Sequence, residues 1–163
     1  MAEDSAPPRV ARASPEDAAA LATIHATSFA EPWSADALLR LLVTPAALAL
    51  KASRDVGLTA GFVLGFLAAD EAEILTIAVV PDERGYGIGR RLLRNFADTA
   101  RIHGARSVYL EVAQSNLAAR RLYGSLGYME VGRRKGYYRH ETGSEDAVVL
   151  SKALDGDVPA RES

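Results

Sequence analysis

The sequence predicts an α/β fold, a single mixed sheet with helices packed on both of its faces. Several strand-like segments are apolar at successive positions, which is typical of a sheet covered on both sides. They lie at 46–53, 58–69 and 73–80. A helix is predicted from about Gly87 to His103, because apolar residues recur there every four positions and arginines occupy the other side. The chain has 163 residues and is 48% hydrophobic, which suits one domain with one core.

Capping and breaking residues give the remaining elements. Ser14 and Pro15 begin the first helix, since a capping hydroxyl and a proline at the first helical position favour a helix start. Ser34 caps a second helix, and Ser115 caps a short one that Gly127 ends. Further strands are predicted at 9–13, 107–112, 128–133 and 146–153. The predicted order is therefore β-α-α-β-β-β-α-β-α-β-β.

Composition narrows the possible functions. The formal net charge of −2 argues against a broad basic surface for nucleic acid and against binding to an anionic membrane. The sequence contains no cysteine and three widely spaced histidines, so neither a disulfide nor a metal site is expected. No signal peptide is recognised, and we expect a cytoplasmic protein. A single domain at 9–154 is predicted between flexible tails at 1–8 and 155–163.

A glycine-rich segment joins a strand to the predicted helix, and it is the first candidate for a ligand site. Gly85, Gly87 and Gly89 would let the backbone approach a ligand closely. The helix that follows offers free N–H groups and a positive dipole end, which suit a pyrophosphate. Arg84 and Arg90 could add positive charge. A tight turn without a ligand explains this feature alone equally well, and a nucleotide-binding fingerprint fits poorly because Arg90 stands at its sixth position.

The arrangement Arg84-x-x-Gly87-x-Gly89 resembles the acetyl-coenzyme A loop of the GCN5-related N-acetyltransferases (GNAT). The predicted strand order is also similar to that family, and this resemblance covers nearly the whole chain. A closer resemblance is to the RimI branch, the bacterial acetyltransferases of a ribosomal protein's N-terminal alanine. The segments that carry this second resemblance are Phe29-x-x-Pro32-Trp33-Ser34, Leu110-Glu111-Val112-x-x-Ser115-Asn116, Leu122-Tyr123-x-x-Leu126-Gly127-Tyr128, Tyr137-Tyr138 and Glu145-Asp146-Ala147. The resemblance implies a mostly antiparallel sheet of six to seven strands with about four helices, and acetyl-coenzyme A as cosubstrate without a metal.

The reaction implied by the resemblance needs a base and an acid, because only an unprotonated amine attacks a thioester. Glu111 lies on the strand face opposite Val108, Leu110 and Val112, where partial burial would make it a usable base. A solvated glutamate is the commoner fate of such a residue. The resemblance implies that the general base stands at Glu111.

The resemblance also implies the remaining cofactor contacts. Asn116 and Tyr123 share one face of a helix, about 10.5 Å apart. A helical tyrosine more often packs in a core, but the resemblance implies that Tyr123 is the general acid. Asn116, in the first turn of the same helix, could hydrogen-bond the pantetheine arm. Backbone groups of Ile77, Ala78 and Val79 are expected to bind the acetyl carbonyl and pantetheine. The expected pyrophosphate contacts are Arg84, Gly85, Tyr86, Gly87, Ile88, Gly89 and Arg90.

The acceptor side is predicted from Trp33, Tyr137 and Tyr138, together with Glu111. Packing of Trp33 beside the Ser34 cap is an equally good interpretation. We expect the acceptor to be the N-terminal peptide of a ribosomal protein, with no direct nucleic-acid or membrane partner, and the chain to be a monomer or weak dimer. The alternatives are acetylation of a small-molecule amine or a lysine side chain, a non-catalytic acyl-coenzyme A binding module and, least favoured, a nucleotide-binding protein.

Overall fold

A computed structural model describes residues 7–55 and 57–154, and these residues form seven strands and four α-helices in the predicted order. The strands are β1 (Arg9–Arg12), β2 (Ala47–Asp55), β3 (Leu58–Ala68), β4 (Glu71–Val79), β5 (Ser107–Ala113), β6 (Met129–His140) and β7 (Gly143–Ala153). The helices are α1 (Ala18–Ala26), α2 (Ala35–Leu42), α3 (Ile88–Ile102) and α4 (Leu117–Ser125). Of the predicted tails at 1–8 and 155–163, residues 1–6 and 155–163 lie outside the described residues.

The strands form one sheet in the order β1-β2-β3-β4-β5-β7-β6, and its only parallel pair within these described strands is β4 with β5. Helices α3 and α4 cover one face, where Leu92 and Phe96 are fully buried. Helices α1 and α2 cover the other, around Leu21 and Leu38. The predicted mixed, mostly antiparallel sheet with helices on both faces is therefore confirmed. No helix in the described part of the chain is long and apolar enough to cross a membrane.

Strands β4 and β5 separate partway along their length, and this opening positions the candidate site. Their ladder has four pairs and ends at Ile74 with Leu110. At the same point the β3–β4 register shifts, so that Leu75 is an extra residue in β4. Thr76 therefore shares the α1–α2 face with its partner Leu64, whereas Ile74 packs on the α3 face. Beyond this bulge, the edge of β4 that faces β5 has no ladder partner among the described residues.

The final hairpin is longer than predicted. Strand β6 extends to His140, so Tyr137 and Tyr138 lie in a strand and not in the loop before the last strand. Arg134 pairs with Ala147 and Tyr138 with Glu145, so three residues of β6 stand opposite one residue of β7. This bulge disrupts the alternation from which a strand is recognised. The Asp146 carboxylate stabilises it by accepting the Gly136 N–H at 2.9 Å.

The cap of α4 also differs from the prediction. Asn116, and not Ser115, caps the helix, because the Asn116 side-chain oxygen accepts the Ala119 N–H at 3.2 Å. The Ser115 N–H donates instead to the Glu145 carboxylate of β7. The loop before α4 is thereby attached to the β6–β7 hairpin.

Candidate active site

The glycine loop has a backbone that only glycine adopts easily. Gly85 and Gly87 have φ angles of +88° and +78°, and Gly87 caps α3. A Cβ atom added at either position would meet no atom within 4 Å, so the outer side of the loop is open to a ligand. The first N–H groups of α3 have no partner within the helix. The loop and the helix start therefore fit a pyrophosphate of coenzyme A.

The loop arginines form contacts within the protein. Arg84 donates from Nε to the Val79 carbonyl at 3.1 Å and from Nη2 to Ser28 Oγ at 3.0 Å. Arg90 donates to Ser125 Oγ at 3.0 Å. Arg84 thus connects the loop to the α1–α2 connection, and Arg90 connects α3 to α4. Backbone N–H groups are the part of this loop best placed for an anion.

Three other predicted loop contacts have different surroundings. Tyr86 is 58% exposed, and the Arg54 guanidinium lies 4.1 Å from the centre of its ring. The Ile88 side chain is buried in the core, so only its backbone can reach a cofactor. A Cβ at Gly89 would lie 3.6 Å from Leu122 of α4, an ordinary van der Waals distance, so packing against α4 does not itself require a glycine here.

The open edge of β4 offers backbone groups and no polar side chain at the predicted positions. Ile77 and Val79 pack against the α3-side core, and Ala78 is buried on the α1–α2 side. Beyond the end of the β4–β5 ladder, their peptide groups on the β5 side are available for a ligand. Peptide N–H groups at a fixed position can stabilise an acyl oxygen as negative charge develops on it.

Glu111 occupies the predicted face of β5. Its side chain is 20% exposed and borders a groove of about 260 Å³ on the α1–α2 side of the sheet. Arg134 of β6 donates from Nε to Glu111 Oε1 at 2.8 Å. Glu71, Glu73 and Tyr109 line the same groove. Glu111 is thus a half-buried carboxylate with one oxygen held by a guanidinium.

Tyr123 is 6% exposed and packs edge-on against Tyr128, with ring centres 5.7 Å apart. Burial, assisted by the nearby Tyr138, raises the pKa of Tyr123 to about 12, so its phenol is protonated at neutral pH. Burial and then the negative charge of Glu111 raise the pKa of Tyr138. Tyr138 is therefore near enough to both predicted catalytic side chains to interact with them electrostatically.

The remaining predicted residues are Tyr137, Trp33 and Asn116. Tyr137 is 52% exposed and contacts Tyr138 edge-on at 5.2 Å. Trp33 is half-buried against the α1–α2 core, and its described ring contact is with His25, so the packing interpretation accounts for its position. Asn116 uses its side-chain oxygen as a helix cap, which leaves its amide nitrogen for a ligand.

Sequence reasoning did not single out Arg134, and it named Asp146 only within the segment Glu145-Asp146-Ala147, without a role of its own. Arg134 reaches Glu111 only because β7 brings β6 next to β5, and Asp146 acts through a bulge. The charged run Arg133-Arg134-Lys135 beside the paired tyrosines was the available signal.

The profile of the Acetyltransferase (GNAT) family matches residues 18–128 of this chain. The chain belongs to the GNAT acetyltransferase family. The resemblance inferred from the sequence is thus confirmed, and the parallel strands that separate at Ile74 beside a glycine loop belong to a GNAT domain.

Individual GNAT relatives are similar over different lengths. The alanine N-acetyltransferase of ribosomal protein bS18 from Escherichia coli K12 is 40% identical over 95 residues, which are 58% of this chain and 64% of that protein. The matched part thus spans just under two thirds of that relative. The N-alpha-acetyltransferase RimI of Mycobacterium tuberculosis is 39% identical over 145 residues, 85% of this chain and 89% of that protein.

Two solved structures place the fold. The crystal structure of the ribosomal-protein-S18-alanine N-acetyltransferase from Escherichia coli superposes with a TM-score of 0.85 at 31% identity, covering 92% of this chain and 96% of that one. Arabidopsis thaliana NAA60 in complex with acetyl-CoA has a TM-score of 0.79 at 22% identity, covering 91% and 99%. The second likeness concerns the fold alone.

Proposed function

We propose that this GNAT protein is a cytoplasmic, acetyl-coenzyme A-dependent N-acetyltransferase of a ribosomal protein's N-terminal alanine. The opening between β4 and β5, with Glu111 on one side of the sheet and Tyr123 on the other, is the observation that supports it most. The name of the Escherichia coli relative supports a ribosomal-protein alanine as the acceptor, and that of the Mycobacterium tuberculosis relative supports transfer to an α-amine. The open glycine loop supports acetyl-coenzyme A as the cosubstrate.

In this proposal Glu111 is the general base. A free α-amine has a pKa of about 8, so most of it is protonated at neutral pH and must lose a proton before attack. The Glu111 oxygen that Arg134 does not hold is the acceptor for that proton, directly or through water. The groove on the α1–α2 side gives an amine access to it.

The transfer is direct, without an acyl-enzyme. The amine nitrogen forms a bond to the acetyl carbon while backbone N–H groups of 77–79 stabilise the oxyanion. Glu111 has by then passed the ammonium proton to solvent, so it can take the remaining excess proton of the nitrogen as the carbon–sulfur bond breaks. The sulfur takes a proton from Tyr123, and the proton on Glu111 returns through solvent to the Tyr123 phenolate. The products are the acetylated peptide, coenzyme A and one proton released to solvent.

Tyr123 suits the role of general acid because its burial keeps the phenol protonated. A thiol in water has a pKa of about 8.5, below that of the buried phenol. The same burial would disfavour a thiolate beside Tyr123 and so raise the pKa of the thiol, which narrows the difference between the pKa values of the thiol and the phenol. The phenol is therefore a hydrogen-bond donor to the developing thiolate and its source of a proton.

The direct test is release of free thiol from acetyl-coenzyme A with three peptides of one sequence. The first begins with alanine, the second has a blocked α-amine, and the third has a blocked α-amine and one added lysine. We expect release with the first only. Release with the third would favour a lysine acetyltransferase, and release with none of the three would contradict the proposed peptide acceptor.

A further inference from the structure

The ion pair between Arg134 and Glu111 places a guanidinium beside the carboxylate that the proposed function assigns as the base for the acceptor amine. Arg134 Nε lies 2.8 Å from Glu111 Oε1, so one carboxylate oxygen is occupied. The guanidinium also lies 5.5 Å from the centre of the Tyr137 ring. Although its side chain is 60% exposed, these two contacts hold its orientation.

The backbone around Arg134 is built to keep it there. Arg134 forms the last regular pair with β7, opposite Ala147, before the bulge of β6. Asp146 stabilises that bulge through the Gly136 N–H. The adjacent Arg133 bonds Glu130 at 2.7 Å and takes no part in the contact with Glu111. Two neighbouring arginines therefore have separate carboxylate partners.

Other charged and titratable groups also face the Glu111 groove. Tyr138 lies near Glu111, and its burial keeps it neutral. Glu73 and Glu71 line the groove, but in the β4–β5 ladder they stand opposite Tyr109 and Ser107, further from the opening. Their influence at Glu111 is weaker than that of Arg134, since charge interactions fall with distance and are screened by solvent.

We propose that Arg134 is a positioning residue that disfavours the ammonium form of the acceptor at Glu111 and thereby favours the free amine that attacks. A carboxylate alone would bind an ammonium tightly and hold it in an unreactive form. A guanidinium beside that carboxylate repels the ammonium but not the neutral amine. This inference rests on the proposed function, with Glu111 as the base.

In the proposed role, the Arg134 charge weakens binding of the ammonium form of the acceptor and increases the rate of acetyl transfer. Removing the Arg134 charge strengthens ammonium binding, so KM for the peptide falls. It also leaves a smaller fraction of the bound amine unprotonated, so kcat falls at low pH. Stronger substrate binding without stronger transition-state binding lowers KM and kcat together.

Arg134→Gln tests this with Arg133→Gln as the matched control and Arg134→Lys as the variant that keeps the charge. We expect Arg134→Gln to reduce kcat about fivefold at pH 6.5 and less than twofold at pH 9. The reason is that the acidic limb of the curve of kcat against pH moves up by about 0.5 to 1 pH unit. KM for the peptide should fall about threefold at pH 7. Arg133→Gln should match the wild type, and Arg134→Lys should restore most of kcat.

The outcomes separate the inference from the proposed function. An equal loss of kcat at every pH, or a rise in KM, would mean that Arg134 only shapes the groove and would overturn the inference. Wild-type rates in Arg134→Gln would overturn it too. If the wild type acetylates a small amine and not the peptide, the proposed acceptor fails, and the same comparison with that amine still decides the role of Arg134. A wild type that acetylates no amine would overturn both.

Discussion

The buried ring of His25 accepts the backbone N–H of Trp33 at Nδ1, at a distance of 3.1 Å. His25 is 2% exposed and is stacked between Phe29 and Trp33, with ring centres 4.2 and 4.8 Å away. Burial lowers its pKa, so the neutral ring that this hydrogen bond requires is favoured. His25 therefore holds the connection between α1 and α2, which lies on the same side of the sheet as Glu111.

His25→Phe should keep the ring stack but leave the Trp33 N–H without an acceptor. We expect the free energy of unfolding to fall by about 1 to 2 kcal/mol, the cost of a half-buried donor without a partner. Because Trp33 is the only tryptophan in the sequence, its fluorescence reports on this connection directly. The variant should shift the emission and raise KM for the peptide more than KM for acetyl-coenzyme A.

The pH dependence of this contact has a definite sign. The pKa of His25 is lower in the folded state than its unfolded value of 6.5, so the unfolded chain binds more protons in the window just below that pH. The stability that depends on neutral His25 is therefore present above 6.5 and declines as the pH falls. His103→Phe, at an exposed position, is the control. If it lowers stability as much as His25→Phe does, the assigned role of His25 is wrong.

Gly87→Ala should impair cofactor binding beyond its effect on stability. The left-handed φ of +78° costs an alanine about 1 to 2 kcal/mol, and the new methyl group would occupy the open side of the loop. Gly104→Ala is a matched control, because Gly104 has a φ of +96° and equally open surroundings at the other end of α3. Both variants should lose similar stability, but only Gly87→Ala should raise KM for acetyl-coenzyme A. Equal KM values would exclude the loop as the pyrophosphate site.

Tyr123 and Tyr128 form a natural pair of test positions, since both are buried phenols in contact with each other. Tyr123→Phe should reduce kcat about 100-fold or more if the phenol donates the proton. The Tyr128 hydroxyl is buried without a hydrogen-bond partner in the described structure. Tyr128→Phe should therefore raise the free energy of unfolding by about 1 kcal/mol and leave kcat within about twofold. Similar kcat losses in both variants would argue against Tyr123 as a specific acid.

The features that the sequence predicted are those with a local signal. Helix α3 was predictable from its four-residue apolar repeat. The loop before α3 was predictable from its glycines. The face of Glu111 followed from the alternation of buried residues along β5, which the structure retains. Each of these signals lies within one element and does not depend on a partner.

The features that were missed depend on pairing between distant segments. The bulge at Leu75 shifts the β3–β4 register at the point where the β4–β5 ladder ends, so it depends on both neighbouring strands. The contact of Arg134 with Glu111 requires β7 between their strands, and the cap at Asn116 was missed because Ser115 is equally suited by residue type. Side-chain type alone does not choose between neighbouring caps or between strand registers.

Glu145 should make the attachment of the β6–β7 hairpin sensitive to acid. Hydrogen bonds from Ser115, together with His140 at 2.9 Å, lower the pKa of Glu145 to about 2 from a usual 4.5. The carboxylate therefore contributes stability that is fully present above 4.5 and lost as the pH falls toward 2. Glu145→Gln should lower the midpoint of thermal unfolding at pH 7, and its difference from the wild type should shrink between pH 5 and about 3.

Glu141→Gln provides the control, because Glu141 is exposed in the turn of the same hairpin. It should leave both the midpoint and its pH dependence unchanged. Since Tyr138 lies on this hairpin beside Glu111, Glu145→Gln should also raise KM for the peptide at pH 7. A constant difference between Glu145→Gln and the wild type from pH 7 to 3 would show that the Glu145 charge does not hold the hairpin, and that its side chain contributes by packing alone.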